Sequence, residues 1–92
     1  MRVTVAGLVT PHVLRVVELA NQAEKGMNVD WHVRGAVSQT MDELRDQYNA
    51  ATLVAAYVEG LETAASQAAG NRVAYLRVLR AAIASARSLG RV

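Results

Sequence analysis

The chain has no cysteine. Disulfides, thiol nucleophiles and cysteine-based zinc sites are therefore excluded. It has no phenylalanine and a single tryptophan, Trp31. Its apolar surface is accordingly aliphatic and rich in alanine, which favours helix and lets helix backbones approach closely. Proline occurs once, at position 11, so long stretches run without a helix breaker. No run of about 18 apolar residues is present, and no transmembrane helix is expected. The opening "MRVTVAGLVT" carries one arginine and a short apolar stretch with no small-residue cleavage pattern after it. No Sec-type signal is read there, and the expected setting is the cytoplasm or a soluble assembly.

Signatures of chemistry are equally sparse. The six glycines form neither a phosphate-binding loop nor a dinucleotide fingerprint. The serines at 38, 66, 85 and 88 lie in no nucleophile elbow. His12 and His32 have no His or carboxylate at the i+3 or i+4 spacing that builds a helical metal site. The Asp42, Glu43 and Asp46 cluster contains Arg45 and is flanked by polar residues, which describes a solvated helix face better than an acid–base pair. No catalytic residue, metal or cofactor is expected, and the chain is read as not an enzyme.

What is present is helical periodicity. Residues 2–9 alternate Val3 and Val5 with Arg2 and Thr4, which predicts an N-terminal extended arm over 1–9. Thr10 as N-cap and Pro11 in the first helical position then predict a short helix over 11–25. Lys25 and Gly26 mark its end. Asp30 is the next expected N-cap. Val33, Val37, Met41, Leu44, Tyr48, Ala51, Ala55, Val58 and Leu61 follow at steps of three and four. That spacing predicts one long helix over 31–69, roughly 58 Å at 1.5 Å per residue, with Asn49 its weakest point. Gly70 and Asn71 form a turn, with Asn71 a plausible cap, before a final helix over 72–89, in which Leu76, Leu79, Ile83 and Ala86 make an apolar seam. The expected fold is all-α: three helices and an arm in a single domain over 1–92.

Charge is distributed unevenly. Residues 1–71 hold five basic and eight acidic side chains, whereas residues 72–92 hold five arginines and no acid. On a helical projection Arg77, Arg80, Arg87 and Arg91 fall within an arc of roughly 80° beside the apolar seam, and Arg72 lies outside it. Such a stripe can pair with Glu59, Glu62, Asp42 and Asp46 of the preceding helix. Alternatively it can contact nucleic-acid phosphates in a salt-dependent way, or meet an acidic protein surface. The shortage of Trp and Phe argues against a membrane surface.

Over half of the residues are apolar, and a chain of this size buries only about 60% of its unfolded surface. Some of that apolar surface is therefore expected to meet a partner or another copy. The leading expectation is a non-enzymatic helical interaction or assembly protein, a homo-oligomer or a subunit of a larger complex. Trp31, Leu76, Leu79 and Ile83 are its interface candidates, and Arg77, Arg80, Arg87 and Arg91 its charged contacts. The second expectation is a small basic protein that binds nucleic acid through the arginine stripe.

Overall fold

The computed structural model describes residues 5–44, 50–68 and 70–89. It is all-helical, with four helices: α1 (Val5–Glu24), α2 (Asp30–Leu44), α3 (Ala50–Gln67) and α4 (Val73–Leu89). Two expectations change. Residues 5–9, assigned to an extended arm, belong to α1, while residues 1–4 lie outside the described residues. The single helix expected over 31–69 is instead two helices, α2 and α3. Asn49 falls in 45–49, outside the described residues.

Both differences follow from burial. Thr10-Pro11 reads as a helix start, but Val9 is as buried as Val13 and Val16 beyond it. The apolar face thus continues upstream, and packing outweighs the local start signal. Pro11 sits inside α1, where it contributes no N–H to the backbone ladder, a loss that costs about 3 kcal/mol in a regular helix interior. A continuous helix over 31–69 would be far longer than the molecule, whose greatest dimension is 36 Å. Its second half would also have no neighbour to cover it. Folding back lets α2 and α3 each pack on α1 and α4.

The helix ends are set by specific groups. Gly26 adopts φ = 94°, the left-handed conformation that favours glycine. The Gly26 amide donates to the Ala23 carbonyl and the Met27 amide to the Gln22 carbonyl, the paired pattern of a Schellman stop. At the start of α2 the expected Asp30 cap is displaced by one position. The Val33 amide donates to the Val29 carbonyl, and the Asn28 side chain accepts from the Asp30 amide at 3.2 Å. The α4 start is capped from another helix. Glu24, the last residue of α1, accepts from the Tyr75 amide at 3.3 Å. A carboxylate there also favours the positive end of the helix dipole. Arg72 donates to Asn21 and lies 3.9 Å above the Tyr75 ring centroid, which adds a cation–π contact.

Interhelical contacts define the arrangement. His12 and Arg15 of α1 face Glu43 and Gln39 of α2, so these helices are antiparallel. The end of α1 meets the start of α4, and α3 runs alongside α1 in the same direction. Chain direction therefore alternates up, down, up, down. α1 and α4 pack on each other, and each touches both α2 and α3, whereas α2 and α3 are the pair that touches least. In cross-section the bundle is a rhombus with α1 and α4 across its short diagonal. Val16, Ala20, Leu79, Ala82 and Ala86 are completely covered.

Two internal positions generate measurable consequences. A Cβ built on Gly60 of α3 lies 2.8 Å from Val13 Cγ2, whereas one on Gly35 of α2 meets nothing within 4 Å. Valine is stiff at χ1 and cannot swing away freely. Gly60→Ala is therefore expected to lower stability by about 1 kcal/mol, because overpacking outweighs the helix-propensity gain of about 1 kcal/mol. Gly35→Ala should raise it by about 0.5–1 kcal/mol. Urea denaturation of the two variants measures both signs.

The Tyr57 hydroxyl is buried and has no hydrogen-bond partner among the described residues. Its polar neighbour Thr40 donates instead to the Ala36 carbonyl at 2.9 Å. Burial pushes the Tyr57 phenol up from its usual value, only partly offset by the Thr40 hydroxyl and the charge of Arg15. The folded protein therefore holds this proton after the unfolded chain has lost it. Stability tied to Tyr57 is present below about pH 10 and falls as pH rises above it. Tyr57→Phe removes the unpaired hydroxyl and keeps the ring. It should stabilise the protein by about 1 kcal/mol at neutral pH and flatten the alkaline decline. Denaturation at pH 7 and at alkaline pH tests both effects.

Candidate interaction surface

The residues singled out in the sequence separate into core and surface. Leu79 is completely covered by the chain's own helices, Ile83 is buried and Leu76 is half-buried. Each belongs to the face that α4 turns inward. Arg77 and Arg80 point outward, and no ion pair to either occurs among the described residues. Arg87 donates to Glu62 Oε1 of α3 at 3.0 Å. Both side chains are more than half exposed, so the pair contributes at most about 1 kcal/mol. Arg91 and Asp46 lie outside the described residues. Glu59 does not join the Arg87–Glu62 pair but lines the groove between α3 and α1.

Trp31 is 80% exposed. It occupies the first turn of α2 and points away from that helix's buried face of Val33, Ala36, Val37, Thr40 and Met41. Leu14, Met27 and Val73 are also more than half exposed. Leu14 lies one turn beyond the helix start expected from the sequence. In the structure it lines an open groove.

The four seams of the bundle are of two kinds. The antiparallel seams are bridged by polar side chains. Between α1 and α2, Arg15 donates to Gln39 Oε1 at 3.1 Å, Gln39 donates to Glu43 Oε1 at 3.0 Å, and His12 Nε2 lies 3.7 Å from Glu43 Oε2. Between α3 and α4 stands the Arg87–Glu62 pair. The parallel seams hold open grooves. The α1/α3 groove has a volume of about 310 Å³ where Val9, Leu14, Ala56, Glu59 and Thr63 line it. It continues past Val17 and Ala64 toward Arg72. The α2/α4 groove has a volume of about 420 Å³, with a floor of Val33, Val78, Ala81 and Ala84. Arg34 and Arg77 edge it, and it extends past Asp30 to Met27 at the α1–α2 turn.

Sequence reading missed the His12 environment. His12 has no partner on its own helix, and its carboxylate comes from α2, 31 positions along the chain. The side chain is 13% exposed, and Nδ1 is buried without a hydrogen-bond partner among the described residues. Only knowledge of which helices are antiparallel neighbours could have paired it with Glu43. Among the described residues no group of three or more His, Cys, Asp or Glu is placed to hold a metal ion, and no helix is long and apolar enough to cross a membrane.

The two kinds of arginine on α4 should separate in stability measurements. Arg80→Glu should leave the unfolding free energy within about 0.5 kcal/mol of the parent, as for surface positions without a structural partner. Arg87→Glu puts a second carboxylate beside Glu62 and should cost about 1 kcal/mol, more at low salt than at high. Thermal and urea denaturation at two ionic strengths would show the difference.

Comparison with protein-family models, with curated proteins and with solved structures found no match.

Proposed function

We propose that this chain is a non-enzymatic helical interaction and assembly module, which associates through the apolar side chains its own core leaves outside. The observation that carries this reading is Trp31. A large aromatic ring on a rigid helix, mostly uncovered, is the residue type that most often supplies binding energy at interfaces. Met27 beside the α2/α4 groove and Leu14 on the α1/α3 groove add to it. Stability gives no reason to keep these residues exposed, because burying them would be favourable at about 25 cal/mol per Å².

Trp31 also supplies the test. It is the only tryptophan, so the protein's tryptophan emission reports its surroundings alone. Association should shift that emission to the blue as protein concentration rises, while light scattering records a growing mass. Trp31→Ala should weaken association by about tenfold or more, a hot-spot effect, and leave helicity and unfolding midpoint unchanged. A parent protein that stays monomeric at every concentration, with invariant Trp31 emission, would remove this reading.

A second reading is supported by Arg77 and Arg80, exposed cations without an ion pair among the described residues. In it the α4 stripe contacts nucleic-acid phosphates. Fluorescence anisotropy with random duplex DNA at two ionic strengths separates the readings. Phosphate contact requires an affinity that falls steeply with salt, and absence of binding at low salt ends it.

A further inference from the structure

We infer that copies of this chain join head to tail, the basic α2/α4 groove of one copy seating the acid-edged α1/α3 groove of the next. The inference rests on the interaction reading above and specifies its partner as a second copy.

Three features of the structure converge on this mode. The first is placement. Because α1 and α4 occupy the short diagonal of the rhombus, the α1/α3 and α2/α4 seams lie on opposite sides of the bundle. A contact between opposite faces leaves one of each face free at the ends, so it propagates rather than closing at a dimer. The second is charge. Arg34 and Arg77 edge the α2/α4 groove, with Asp30 the single carboxylate lining it. Glu59 lines the α1/α3 groove, and exposed Glu18 stands one helical turn from Leu14; the groove's one lining cation, Arg72 at its far end, is already held by Asn21 and the Tyr75 ring. No ion pair to Glu18 or Glu59 occurs among the described residues. The third is apolar content. Each groove has a floor of Val and Ala and an exposed large side chain at its edge, Leu14 on one side and Met27 on the other.

A symmetric contact of the α2/α4 groove with itself would bring Arg34 and Arg77 of both copies together, a like-charge juxtaposition that suppresses pairing. Opposite faces bring those arginines to carboxylates instead.

The test uses two charge-reversed forms of the full chain. One carries Arg34→Glu with Arg77→Glu and the other Glu18→Lys with Glu59→Lys. Circular dichroism and thermal melting establish that both fold, as expected for exposed positions. In sedimentation velocity the parent protein should form species beyond the dimer as concentration rises, and salt should diminish them. Each variant alone should associate more than about tenfold more weakly, as like charges across an interface require. An equimolar mixture should regain association, because one intact groove then meets one intact acidic face. Parent-like self-association of either variant, or a mixture that stays monomeric, would overturn the head-to-tail mode. Association that survives both reversals yet is lost in Trp31→Ala would overturn this mode and leave the interaction reading standing. A parent that never associates would remove both.

Discussion

The close packing of α1 on α4 is the constraint on which the rest of the structure depends. In a bundle of four rods, shortening one diagonal lengthens the other. The covered positions of α1 and α4 include Ala20, Ala82 and Ala86, small side chains of the kind that let helix backbones approach closely. α2 and α3 are then held apart and touch least. Tyr57, on α3, is among the largest completely covered side chains, and its hydroxyl is buried with no hydrogen-bond partner among the described residues, a polar group kept inside a chain that has no phenylalanine. The open grooves lie along the two parallel seams of the rhombus.

Much of this was legible in the amino-acid sequence, and the failures have physical causes. The all-α class followed from the three-and-four spacing of Val, Leu and Ala, which is a local property. The Gly26 stop was legible because only its φ requirement mattered. Thr10-Pro11 misled because a start signal is a local preference, and the burial of Val9 outweighs it. The continuous helix over 31–69 misled for the opposite reason. Periodicity reports that each turn has an apolar face but not whether the faces of distant turns share one direction. The length of the partners decides that, and α1 and α4 are too short to cover a helix of roughly 58 Å.

The candidate surface was legible in part for a related reason. The α4 arginines were visible as a stripe because charge is read directly from residue type. Their fates were not, because Arg87 meets Glu62 while Arg77 edges a groove, and angles on a single helix cannot distinguish those neighbours. Leu79 and Ile83 looked like interface residues for the same reason that core residues do, since an apolar seam does not declare whose surface covers it. Trp31, directly after Asp30, reads equally as an anchor for the α1–α2 connection, and the structure instead leaves it exposed, off the face of Val33 and Val37.

The division of labour among the seams gives the exposed residues their meaning. Polar bridges join α1 to α2 and α3 to α4, pairs adjacent in the chain, where they fix the angle of each hairpin. The end of α1 is joined to the start of α4 by Glu24 capping Tyr75 and by Arg72 on Asn21. Those contacts lock the two hairpins together without using any side chain of the open grooves except Arg72. Folding therefore draws on Glu24, Glu43, Glu62, Arg15, Arg72 and Arg87, and leaves Arg34, Arg77, Glu18 and Glu59 to the surface. Each pair stands beside an uncovered apolar side chain, Met27 on one face and Leu14 on the other, and it is this juxtaposition that the head-to-tail proposal uses.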